Sequence, residues 1–240
     1  MIITPARIAL VVILGLPLVV SASQDRLTPE QRVTALKQSL ADSQARLHKY
    51  EWVETTIISL KGEEKARTQK RCYYGADGKV QKLDVGEAPE AKAAPTGGRR
   101  GGRLKAKIVE NKKSEMHEYM ERAAALIHQY VPPAPAQVQK VKDAGRVAIT
   151  ALDQGRVGIA LTDYLQTGDR LTVVVNAAAN NLDSLIIATY LDKPEEIVAL
   201  DVRFGRLEDG TSYTAQTTLD AKAKNIRVVI QNSGHRPLAQ

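Results

Sequence analysis

The apolar positions of this chain change period along its length. After Thr28-Pro29-Glu30-Gln31, a capping threonine with proline at the first helical position and glutamine three residues after the cap, Val33, Leu36, Leu40 and Leu47 fall on one helical stripe. The remaining positions are polar, so the spacing predicts a surface helix with one buried face. Tyr50 to Leu60 then turns aromatic and β-branched, as strands are, with Tyr50, Trp52, Ile58 and Leu60 on one face. Lys61-Gly62 is a turn and leads into a polar segment up to Arg71. Cys72-Tyr73-Tyr74 follows, then the turn Gly75-Ala76-Asp77-Gly78 and an apolar return over Lys79 to Val85. This predicts a meander of three strands.

Gly86 to Arg103 has no hydrophobic period and reads as a long mobile loop rich in Gly, Ala and Arg. Ser114 to Val131 is the second helix, with Met116, Met120, Ala123, Ile127 and Tyr130 as its apolar stripe. Pro132, Pro133 and Pro135 stop it, and Ala136 to Lys142 is a short helical piece. From Gly145 onward the expected strands are 146–152, 156–161, 170–176, 182–191, 198–206, 211–219 and 226–231. Val198, Leu200, Val202 and Phe204 alternate with Ala199, Asp201, Arg203 and Gly205, the pattern of an antiparallel strand with one buried face. Glu208-Asp209-Gly210 is a hairpin turn. Strands that do not alternate with helices disfavour a parallel sheet. The predicted fold is α+β: a curved antiparallel sheet, an incomplete β-barrel, with helices on its open face and a hollow between them.

The first residues add an address. Arg7 is followed by the apolar run Ile8 to Val20, broken by Gly15 and Pro17, and then by Ser21-Ala22-Ser23. The run is shorter than the about 20 residues of a membrane-spanning helix, and the layout is that of a secretory signal peptide over 1–22, cleaved after Ala22. The expectation is an exported, soluble, periplasmic protein whose residues 23–240 form one domain. With one cysteine in 240 residues, the chain has no internal disulfide and no cysteine-based zinc site. Cys72 is expected to be buried as a small hydrophobe.

The segments Leu36–Thr56 (LKQSLADSQARLHKYEWVETT) and Tyr74–Val80 (YGADGKV), the strand series Val198–Leu219 and Lys224–Gln231, and the closing Asn232-Ser233-Gly234-His235-Arg236-Pro237-Leu238 carry a resemblance. In its order of elements the chain resembles the lipoprotein-carrier superfamily, whose best-known members sort outer-membrane lipoproteins in the periplasm. The resemblance implies an incomplete β-barrel closed by helices, with a hollow that binds acyl chains, and a hydrophobic ligand or lipidated protein as partner. The chain departs from that family in its few aromatics, one Trp, one Phe and eight Tyr, and in its Gly/Arg-rich loop.

Candidate chemistry is sparse. There is no G-x-S-x-G, no phosphate loop and no G-x-G-x-x-G. His117, Glu121 and His128 share a flank of the second helix, but a span of roughly 16 Å along its axis is too long for one metal ion. The expectation is no enzyme, no cofactor and no metal. Tyr50, Trp52, Ile58, Val173, Val175, Val202 and Phe204 are the candidates for the lining of the hollow. The formal net charge is +7. The excess concentrates in Arg99, Arg100, Arg103, Lys105, Lys107, Lys112 and Lys113, against Glu110 alone. Arg99, Arg100 and Arg103 are expected to approach anionic headgroups of a membrane surface. No aromatics are interleaved there, so nucleic acid is not expected. The reading is a protein that binds or carries a hydrophobic ligand. A structural or protein-interaction module of the cell envelope with a filled core is the alternative. A hydrolase would need a cluster of perturbed titratable groups.

Overall fold

In the computed structural model, residues 29–85 and 102–238 are described. Helix α1 (Pro29–Leu47) leads into strands β1 (Tyr50–Leu60), β2 (Glu63–Tyr74) and β3 (Val80–Asp84). Helices α2 (Gly102–Ile127) and α3 (Pro135–Asp143) follow. The chain then runs through β4 (Val147–Ala151), β5 (Arg156–Thr162), β6 (Arg170–Asn176), β7 (Asn181–Tyr190), β8 (Ile197–Arg206), β9 (Ser212–Ala221) and β10 (Ile226–Pro237). All ten strands form one sheet in the order β3-β2-β1-β10-β9-β8-β7-β6-β5-β4, and every neighbouring pair is antiparallel. The two end strands, β3 and β4, do not pair with each other, so the sheet is not closed into a barrel. Among the described residues no helix is long and apolar enough to cross a membrane.

Three differences from the sequence reading have clear causes. The polar segment before Arg71 is strand throughout, although most of β2 is exposed. Lys61 and Gly62 both have positive φ, so a two-residue hairpin turn fixes Leu60 opposite Glu63 without any apolar pattern in β2. Helix α2 begins at Gly102, before the expected start, and takes in Arg103 and the lysine-rich residues after it. Lys, Leu and Ala are good helix formers, and a run of like charge does not by itself end a helix. The mobile loop expected over 86–103 therefore loses its last two residues to α2, and residues 86–101 lie outside the described residues. Finally, β10 continues past Gln231 to Pro237 and pairs along β1 from Leu60 to Tyr50, joining the N-terminal meander to the C-terminal strands.

One face of the sheet carries the core. On β7, Leu182, Leu185, Ile187 and Thr189 are buried, whereas Ile186 and Ala188 are exposed. The helices supply the opposite wall. Leu36, Leu40, Ser43 and Leu47 are the inward stripe of α1, and Tyr119, Ala123, Ala124 and Ile127 that of α2. Val138 and Val141 pack from α3. The helix stripe expected at Val33 and the cap at Thr28 lie outside the described side chains.

Candidate functional site

The concave face has a filled half and a hollow half. The filled half lies over β5, β6 and β7, where Leu161, Leu171, Leu182, Leu185 and Ile187 meet α2, α3 and the buried Tyr164. Its polar anchor is Asp169, only 2% exposed. The Asp169 carboxylate accepts N–H bonds from Tyr164, from Leu165 (2.9 Å) and from Gln166 (2.9 Å), and the Tyr130 hydroxyl donates to it at 2.5 Å. The Tyr130 hydroxyl also lies 2.7 Å from Thr189 Oγ1. Burial, then the bond to Asp169, holds the Tyr130 hydroxyl well above the ordinary phenol value. This network fixes the chain just after α2, so the next residue, Val131, stands on the wall of the hollow.

The hollow has a volume of about 170 Å³ and is partly open. Its helical side is Leu47 from α1, Ala124, Ile127 and His128 from α2 and its end, and Val131. Its sheet side is Trp52, Glu54, Tyr74 and Val80 from the meander, with Leu200, Val202, Tyr213, Thr217, Leu219 and Ile230 from β8, β9 and β10. One cross-strand row shows how the two halves join: Val173, Leu185, Val202, Thr217 and Ile230 are successive partners on one face. The row passes from buried core at Val173 and Leu185 to hollow wall at Val202, Thr217 and Ile230.

A chain of rings forms the other end. His48 stacks on Tyr74 with centroids 4.2 Å apart, and Tyr74 lies 5.6 Å from Trp52. Trp52 is near-parallel to His235 at 5.8 Å, and His235 meets Tyr213 at 4.1 Å. A β-bulge sets this arrangement. Glu51 pairs with Arg236 and Val53 with Ser233, so Gly234 and His235 together oppose Trp52. Gly234 has φ +63, the left-handed conformation that such a bulge requires. Across the sheet, Gly205 makes room for Tyr213: a Cβ there would sit 2.8 Å from the Tyr213 ring.

Three polar side chains of the hollow, those of Trp52, Asn232 and Glu54, are held by hydrogen bonds. Trp52 Nε1 donates to Asn232 Oδ1 at 3.1 Å, and Asn232 Nδ2 donates to the Thr214 carbonyl at 2.8 Å. Lys82 Nζ reaches both oxygens of Glu54, at 2.6 and 2.7 Å. Burial lowers the His235 imidazole and raises the Tyr74 hydroxyl from their ordinary values. Cys72, the cross-strand partner of Trp52, is fully buried, and burial followed by the nearby Glu54 charge pushes its thiol up to about 11. It is therefore an inert thiol at neutral pH. Among the described residues no group of three or more His, Cys, Asp or Glu is placed to hold a metal ion.

The candidates from sequence are dispersed. Trp52 and Val202 line the hollow. Val173 is in the filled core, and Val175, Phe204 and also Val202 pack against that core. Tyr50 donates its hydroxyl to Asp209 at 2.9 Å, tying the start of β1 to the β8–β9 turn. Ile58 is 40% exposed and pairs with Val228 and Ala66, away from the ring cluster. Arg99 and Arg100 lie outside the described residues, and Arg103 is in α2 with its side chain undescribed. Sequence reasoning missed Tyr74, Tyr213, His235, Glu54 and Asn232. A glycine within a strand next to a ring-bearing residue, as at Gly234-His235, was the available signal, because interior glycines mark bulges.

No protein-family model matches the chain, and no curated protein does. Among solved structures, a DUF1329 family protein from Desulfovibrio piger is similar at 10% identity, with a TM-score of 0.35, over 85% of this chain and 93% of that one. A likeness of that degree assigns neither family nor function.

Proposed function

We propose that this is a non-enzymatic protein of the cell envelope that binds a hydrophobic ligand, with an acyl chain entering the hollow between the sheet and α2. The observation that carries the reading is the apolar hollow itself, walled by Ile127, Val131, Leu200, Val202, Leu219 and Ile230 with Trp52 at its ring-lined end. Ile127, Leu200 and Leu219 on its walls belong to the same buried cluster as the filled part of this face, so the hollow is a gap at the margin of one core. At about 170 Å³ the hollow is below the roughly 300–1,000 Å³ of drug-sized ligand sites. It is close to the roughly 150 Å³ apolar cavity that admits a benzene ring. One narrow apolar group fits it, such as the end of an acyl chain, with the rest of the ligand outside. In this reading the protein is exported and the basic segment with Arg99, Arg100 and Arg103 lies near anionic headgroups.

The single tryptophan makes the test direct, since Trp52 reports on the hollow alone. Fatty acids of rising chain length, including a fluorescent polyene fatty acid as energy-transfer acceptor, are titrated against Trp52 emission. Saturable transfer, competed by unlabelled fatty acid and weakened ~10-fold or more by Ala124→Phe, is the expected result; that factor corresponds to about 1.4 kcal/mol. Emission that ignores every fatty acid, with a bare mass in native mass spectrometry, overturns the reading.

A further inference from the structure

We propose that the ligand of the hollow carries an uncharged ester carbonyl, whose oxygen accepts hydrogen bonds from the Tyr74 hydroxyl and the His235 imidazole while its hydrocarbon lies against Ile127, Leu200 and Leu219. This rests on the ligand-binding reading above and adds the chemistry of the ring-lined end.

The fold treats the polar atoms of the hollow in two ways. Those of Trp52 and Asn232 are committed: the indole N–H goes to Asn232 Oδ1, and the Asn232 amide goes on to the Thr214 carbonyl. Those of Tyr74, Tyr213, Thr217 and His235 are not. All four residues line the hollow and are partly buried, and none of their side chains makes a hydrogen bond to the described residues. Tyr74 and His235 are the two that lose water, since burial is the one influence that moves either from its ordinary value. A hydroxyl or imidazole taken out of water without a partner costs free energy, so polar groups in that position are ordinarily paired.

The two groups are also held in place. Tyr74 packs on the His48 ring at 4.2 Å and on the Trp52 ring at 5.6 Å. His235 packs on Trp52 at 5.8 Å and on Tyr213 at 4.1 Å, from the bulge that Gly234 makes at φ +63. Both rings touch Trp52, so both belong to one end of the hollow. A few fixed polar groups on an apolar wall are what orients a ligand in such a site.

The chemistry of the missing partner follows from what is free. A phenol donates one O–H and a neutral imidazole one N–H, so the ligand supplies an acceptor oxygen. That oxygen is uncharged. Among the described residues the wall holds no Lys or Arg, and its one carboxylate, Glu54, already has Lys82 on both oxygens. A ligand carboxylate brought in here would be buried without a cation, at a cost that keeps it in water. An amide would bring an N–H of its own that needs a further acceptor, whereas an ester brings none. A free fatty acid therefore fills the hollow with its hydrocarbon alone.

Energy transfer from Trp52, the single tryptophan, to a fluorescent polyene fatty acid and to its methyl ester tests this at neutral pH. The ester is expected to bind more tightly than the acid. Tyr74→Phe is expected to cut that preference ~10-fold, the effect of one lost hydrogen bond. His235→Phe keeps a ring against Trp52 and is expected to reduce the preference likewise. Tyr73→Phe, at the neighbouring residue outside the hollow, is expected to keep it. Because the Tyr74 hydroxyl bonds no protein group, Tyr74→Phe is also expected to hold or raise the urea midpoint. A midpoint that falls would show the hydroxyl in use within the protein and overturn the inference. If ester and acid bind alike, or the preference survives both Tyr74→Phe and His235→Phe, the inference falls while the hydrophobic-ligand reading stands. If neither probe accepts energy from Trp52, both fall.

Discussion

Asp169 illustrates how one residue carries a local structure. Its carboxylate satisfies three backbone N–H groups of the 164–166 turn and the Tyr130 hydroxyl, all away from water. Asp169→Ala leaves those donors unpaired, and a loss of about 3 kcal/mol is expected in urea unfolding. Tyr130→Phe removes one donor only and is expected to cost less, about 1 kcal/mol. His235 makes a pH-dependent contribution. Burial between Trp52 and Tyr213 favours the neutral imidazole, so its folded-state pKa lies below the ordinary 6.5. Above 6.5 both folded and unfolded chains carry it neutral, and it adds no pH dependence. As the pH falls below 6.5 the unfolded chain takes up a proton that the folded one refuses, and stability declines until the folded pKa is reached. Urea midpoints measured across that window are expected to fall less for His235→Gln than for the parent. Little of this was legible in the sequence, because an aspartate and a tyrosine 39 residues apart share no periodic signal.

At the scale of elements, caps and turns act as the connectors. Helix α1 is tied to the start of β9 by polar contacts: Arg46 Nε donates to Thr211 Oγ1 at 2.8 Å, and Ser212 N–H donates to Ser43 Oγ at 3.1 Å. Ser43 is 2% exposed on the same stripe as Leu36, Leu40 and Leu47. Ser43→Ala should cost about 1–2 kcal/mol and loosen α1 without unfolding the sheet, which hydrogen exchange of the α1 amides would show. The Gly234 bulge turns His235 toward Trp52, so Gly234→Val should disturb the ring cluster and shift Trp52 emission. The helices and most strands were legible from apolar spacing. β2 was only partly so, since its strand character comes from a Lys61-Gly62 turn and from partners on both sides. The early start of α2 was hidden by a charged composition that leaves the helix backbone free to form.

For the molecule as a whole, the single ten-stranded sheet follows from the pairing of β1 with β10, whose residues lie far apart in the chain. That pairing assembles the hollow, because Trp52 comes from β1, Tyr74 from β2, and Ile230 and His235 from β10. Salt is expected to act weakly on stability, since most ion pairs, such as Arg227–Asp220 and Arg67–Glu64, are exposed. A urea midpoint that moves little between low and high sodium chloride checks this. What the sequence determined by itself was the kind of elements and their order, and with them the α+β class and the open antiparallel sheet. Local period, turn residues and helix stops act within a few positions, so they can be read from one strand of text. Only the tertiary structure decided which of the inward side chains meet core and which meet a hollow. That depends on long-range register: Val173 and Val202 have the same period and the same face, and Val173 is a buried member of the core cluster while Val202 is partly buried against that core and also lines the hollow. The bulge at Gly234 is likewise a property of pairing, settled between β1 and β10, which the sequence keeps far apart.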